Sequence, residues 1–113
     1  MSTERPRAVP TVQIDNPRLR VTLWRFAPGA STGFHRHGFD YCVVPLTTGR
    51  LRIEEGGATR EAELTAGQSY YRNAGVEHDV TNATAADFAF VDIELKEPPD
   101  SLTSPHWVVR AKC

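Results

Sequence analysis

Long apolar runs are missing from this chain. No stretch approaches the roughly twenty apolar residues that a membrane-spanning helix needs. The opening segment, Met1 to Pro10, carries charges and prolines where a secretory leader would carry an apolar block. A membrane partner is therefore not expected. Cysteine is scarce: Cys42 and Cys113 stand far apart and form no CxxC pair, which excludes a disulfide framework. A reducing cytoplasm is the expected compartment. Charge of one sign is also lacking. Thirteen Lys and Arg are interspersed with fourteen Asp and Glu, for a net charge of −1. Without a basic stripe or an acidic block, nucleic acid is not an expected partner. A long amphipathic helical period is absent too, which points away from helical bundles.

What the chain does contain is a series of short alternating runs separated by turn residues. This pattern belongs to all-β sandwiches and barrels. Its 113 residues fit one domain, 1–113, with a core over about 11–96, an N-terminal arm and a C-terminal tail. Val12 and Ile14 alternate with polar neighbours. Residues 18–26 put Leu19, Val21 and Leu23 on one face and Trp24 and Phe26 on the other, so this strand is expected to be covered on both sides. Strands are also expected at Phe34 to His37, Tyr41 to Leu46, Leu51 to Ile53, Thr59 to Leu64, Ser69 to Arg72, Val76 to Thr81 and Phe88 to Leu95. Gly56-Gly57 fits a tight hairpin. Pro45 cannot donate to a ladder, so it predicts an edge or a bulge. Pro98-Pro99 ends the regular part, and residues 100–113 read as a tail with His106 at the surface and Trp107 able to dock.

The chain has only four histidines, and three of them fall into a pattern. His35 and His37 are two residues apart. On a strand they point the same way, with Cα atoms roughly 6–7 Å apart, close enough to converge on one ion. Arg36 between them must point away. His78 arrives from a separate strand and completes one face of a coordination sphere. Imidazole suits iron, zinc, copper and nickel. A lone histidine is more often structural than ligating; the combination of three is what favours a metal.

The glycines and polar residues around these histidines make two frames. The first is Gly29-x5-His35-x-His37-x4-Cys42-x6-Gly49, and the second is Gly67-x5-Asn73-x-Gly75-x2-His78-x3-Asn82. They resemble the two signature motifs of the cupin superfamily, G-x5-H-x-H-x3,4-E-x6-G and G-x5-P-x-G-x2-H-x3-N. The wider run VTLWRFAPGASTGFHRHGFDYCVVPLTTGRL is similar to small cupins encoded alongside β-alanine degradation genes. The resemblance implies a small double-stranded β-helix, a jelly-roll barrel of two antiparallel sheets, usually a homodimer. It also implies that His35, His37 and His78 are metal ligands.

Two positions depart from the family pattern. Asn73 replaces a proline, which alters only a turn. Cys42 replaces the family's glutamate ligand, so three neutral imidazoles leave the ion its full double charge and favour anionic oxygen ligands. Three-histidine sites of this kind imply iron(II) and dioxygenase-like chemistry on a small oxygenated or carboxylate metabolite; zinc, nickel or manganese would suit isomerisation, decarboxylation or hydrolysis instead. A non-catalytic metal or small-ligand sensor is the alternative. Cys42 could be a fourth ligand, whose thiolate would favour zinc, or a substrate-wall residue. Asp40 and Tyr41 are fallback ligands. Tyr70 and Arg72 share a strand face. If that face is inward, Arg72 could hold a carboxylate and Tyr70 could serve in proton transfer; the other parity would put Tyr71 inside.

Overall fold

The computed structural model describes residues 5–96. The expected tail, with His106 and Trp107, lies outside the described residues. Nine strands form: β1 Val9–Asp15, β2 Leu19–Phe26, β3 His35–Arg36, β4 Asp40–Pro45, β5 Gly49–Glu55, β6 Ala58–Leu64, β7 Tyr70–Arg72, β8 Glu77–Asn82 and β9 Phe88–Leu95. They make two antiparallel sheets, a five-stranded one in the order β1-β2-β9-β4-β7 and a four-stranded one in the order β3-β8-β5-β6. The all-β, two-sheet architecture is the one expected, and no helix occurs among the described residues.

Turn chemistry sets the register. Gly56 and Gly57 both have positive φ, 63° and 80°, as a two-residue hairpin turn matched to strand twist requires. The hairpin therefore pairs Glu55 with Ala58 and carries Leu51 and Ile53 into the core. Pro45 sits at the end of β4. Its carbonyl accepts the Gly67 N–H at 2.8 Å, beyond the three residues by which β7 pairs with β4. Pro45 thus interrupts no ladder, although it is fully buried.

The inward rows are the mixed ones. On β2 they are Arg20, Thr22, Trp24 and Phe26; on β9 they are Phe88, Phe90, Asp92 and Glu94. The opposed Trp24–Phe90 and Phe26–Phe88 pairs make the aromatic core, with Phe26 and Phe90 centroids 5.4 Å apart. Phe26 and Phe88 plug one end. Beyond them the polar members of the same rows line a cavity of about 620 Å³ between the sheets. Leu23 and Val21 lie on the outer face, Leu23 buried and Val21 half-buried, so β2 is covered on both sides near its middle. Phe34 is exposed next to the Gly56-Gly57 hairpin.

Asn82 is the polar brace of the closed end. It is buried, and its amide donates to the carbonyls of Phe26, Ala27 and Ala86 while its oxygen accepts from the Thr84 N–H and hydroxyl. This satisfies backbone groups at two turns that would otherwise be orphaned inside the barrel.

Candidate metal centre

Antiparallel pairing brings the histidines together. His35 on β3 lies directly opposite His78 on β8. His37 follows just past β3, where its N–H donates to Val76 O and its carbonyl accepts from Gly75 N–H, both at 2.8 Å. Gly75 has φ +99°, a conformation that side chains resist, so the turn bringing its N–H to His37 depends on glycine. Ring orientation is then fixed locally. His35 Nδ1 lies 2.9 Å from the Gly33 carbonyl, which can only accept. Nδ1 therefore carries the proton, and Nε2 presents a lone pair. The His37 ring stacks on Tyr41, centroids 3.8 Å apart and planes 12° from parallel.

The three Nε2 atoms converge. His35 and His37 approach to 3.0 Å, His37 and His78 to 3.2 Å. At a metal–nitrogen distance of about 2.1 Å, ligands at right angles sit about 3.0 Å apart and tetrahedral ones about 3.4 Å. The observed spacing falls in that range, so the donor set fits one divalent ion. Burial, joined by repulsion from His35 and His78, pulls the pKa of His37 down to about 3. Burial and His35 pull His78 down to about 4. Both rings are neutral near pH 7, the form that ligates. His78 Nδ1 is buried with no hydrogen-bond partner among the described residues, so the usual outer support of a ligating imidazole is missing there.

The fourth position corrects the sequence reading. Side chains alternate on β4, and the inward residues are Tyr41, Val43 and Pro45. Cys42 lies on the outer face between Ile93 and Tyr71, not among the residues around the cavity. It is neither fourth ligand nor substrate wall. Tyr41 takes the inward place, and the shorter of the two spacings in the family motif would have found it. Asp40 also faces away: its carboxylate accepts from Ala74 N–H at 2.8 Å and from the Tyr71 hydroxyl, bracing the turn before β8. Arg25 is exposed on the outer face.

Tyr70 and Arg72 both line the cavity, and Tyr71 points out. Arg72 donates to Glu55 at 3.0 Å, and Arg60 reaches the same carboxylate at 3.4 Å. Burial raises the pKa of the Tyr70 hydroxyl, which keeps it protonated and able to donate a hydrogen bond. Sequence reasoning missed Asp92. It is 6 % exposed, lines the cavity, and lies with Glu94 within 4.8 Å of the His37 ring nitrogen. Burial first, then the charge of Glu94, raises its pKa to about 7. An acid in the inward parity of β9, opposite apolar neighbours, was the available signal.

A cupin domain family model matches residues 22–94. The chain is a cupin. It is 61 % identical over 92 residues to the beta-alanine degradation protein BauB of Pseudomonas aeruginosa, covering 81 % of this chain and 97 % of that one. A cupin domain from Bordetella pertussis Tohama I superposes with a TM-score of 0.83 at 53 % identity, over 85 % of this cupin and all of the other. A cupin 2 conserved barrel domain protein from Salinispora arenicola has the same fold at 22 % identity, with a TM-score of 0.63 over 91 % of this chain and 84 % of its own. The three motif histidines of this cupin are the ones the barrel gathers into its cavity.

Proposed function

We propose that this cupin is a metal-dependent, dioxygenase-like enzyme acting on a small carboxylate metabolite, within the β-alanine degradation that its relative is named for. The observation that carries this reading is the convergence of three imidazoles, with the His37 Nε2 3.0 Å from His35 Nε2 and 3.2 Å from His78 Nε2, on the wall of a ligand-sized cavity. An iron(II) ion held there supplies Lewis acidity and a redox partner for dioxygen. Three neutral ligands leave the ion its full double charge, which favours an anionic substrate.

The chain's own groups do the rest. Arg72 and Arg60 share one carboxylate, Glu55, so one guanidinium charge is left to hold a substrate carboxylate through a two-pronged contact. Tyr70 stands on the same strand as Arg72 as a hydrogen-bond donor. Val43, Leu51, Ile53 and Val80 form apolar walls that exclude water. Tyr41 holds the His37 plane.

Metal analysis of protein purified without a chelating tag, followed by oxygen uptake of the iron-loaded form, tests the reading. The screen covers small diketones, thiols and 3-oxo acids. His78→Ala is expected to weaken metal retention by at least about a hundredfold, more than loss of an outer-shell partner does, and to abolish turnover. Unchanged metal content in that variant, or no oxygen uptake with any compound, overturns it.

A further inference from the structure

The cavity carries opposite charges on different walls. Glu94 is matched by Arg20 at 2.7 Å, but Asp92 beside it makes no ion pair among the described residues. Asp92 Oδ1 is buried and has no hydrogen-bond partner among the described residues. A second buried polar group, the Tyr41 hydroxyl, is also unpartnered and lines the same cavity. Tyr41 on β4 lies directly opposite Arg72 on β7 on one side and Glu94 on β9 on the other. On the same sheet, with β4 between, Arg72 of β7 shares Glu55 with Arg60 of β6. Asp92 is thus an acid without a partner, and Arg72 and Arg60 share a single carboxylate, all around one cavity. A buried acceptor with nothing to accept from is costly, and its natural complement is a donor brought by the ligand.

From this we infer that Asp92, with Glu94 and the Tyr41 hydroxyl, forms an ammonium-binding subsite, and that the ligand class is a small zwitterion whose carboxylate is held at Arg72 and Arg60. This rests on the carboxylate reading of the cavity given above and narrows it. A simple carboxylic acid would fill the basic end and leave Asp92 unanswered. A hydroxy acid would offer a neutral donor in place of a charged one. A zwitterion satisfies both ends.

The test is calorimetric titration of the zinc-loaded protein, zinc serving as a redox-silent ion, with four probes: β-alanine, propionate, 3-hydroxypropionate and n-propylamine. A charge-assisted hydrogen bond predicts that β-alanine binds at least about tenfold more tightly than propionate. Asp92→Asn is expected to erase that margin; Glu94→Gln should narrow it. Equal affinity for β-alanine and propionate, survival of the margin in Asp92→Asn, or no binding of any probe overturns the inference. Repeating the β-alanine and propionate titrations on metal-free protein separates the two proposals. If the margin persists without metal while oxygen uptake is silent, the ammonium subsite stands and the dioxygenase reading falls. If oxygen is consumed but the margin is absent, the reverse holds.

Discussion

His37, His78 and Asp92 are buried titratable side chains of opposite type, and they set opposing dependences of stability on pH. Folded His37 and His78 take up protons only near about 3 and about 4, whereas unfolded histidine does so near about 6.5. Between roughly pH 4 and 6.5 the unfolded chain holds more protons at these sites, so stability falls as the pH falls. Asp92 acts the other way. Its folded pKa of about 7 lies above the ordinary carboxylate value, so over much the same window the folded chain holds the extra proton and gains as the pH falls. Two against one leaves a net loss on the order of 1.4 kcal/mol per pH unit in metal-free protein. Asp92→Asn removes the offset, and the slope should rise to about 2.8 kcal/mol per unit. Denaturant unfolding of metal-free protein at about pH 6 and about pH 5 measures both slopes. A flat wild-type profile would mean that these rings are not buried as described.

At the scale of elements, β4 shows what the sequence could and could not disclose. Its alternation was visible, and the expected run Tyr41 to Leu46 lies one residue from the observed Asp40–Pro45 at each end. Which row faced inward was not, because Tyr41–Val43–Pro45 and Cys42–Val44 are both apolar enough for a core. The family motif allows two spacings, and the longer one points to Cys42 on the wrong face. The same ambiguity hid Asp92: on β9 the apolar Ala89, Val91, Ile93 and Leu95 lie on the outer face, while two phenylalanines and two acids face in. Hydrophobicity alone selects the other row. The histidine trio was legible because glycines and strand parity fix it independently of hydrophobicity. Tyr70 and Arg72 needed only one parity choice, and the structure turns both toward the cavity.

Gly49, at the start of β5, is a case where one atom decides an element's position. A Cβ there would lie 2.7 Å from the Phe88 ring, which is itself fully buried against Phe26. Neither strand can yield without disturbing the aromatic plug. Gly49→Ala is expected to cost about 1–3 kcal/mol, the usual penalty for overpacking a core. Thermal unfolding checks this, and an unchanged midpoint would show that Phe88 moves freely.

For the whole molecule, the two sheets present four edges, and they are protected unequally. β3 and β7 are only two and three residues long, and β6 carries Arg60, Glu61 and Glu63. Short length and charge both discourage edge pairing. β1 is seven residues long and exposes Val9, Val12 and Ile14. Pro10, Asp15 and a bulge between Val12 and Ile14 blunt it only in part. We expect two copies to associate through this edge in solution, as a homodimer. Light scattering after size exclusion should give twice the monomer mass, and Ile14→Lys should shift it toward monomer. A monomeric wild type would dispose of this expectation. Sequence alone suggested pairing but not which edge, because edge order follows from long-range topology.

The two-residue strand β3 has a consequence of its own. It holds one imidazole of the trio, a second follows directly after it, and only two residue pairs zip it to β8. Such a short ladder contributes little cohesion, whereas an ion shared by His35, His37 and His78 would rivet that border shut, since binding energy at a gathered site is also folding energy. Scarcity of the ion would then be felt first as loosening of the rim, so that the barrel's mechanical closure and its chemistry would rise and fall together.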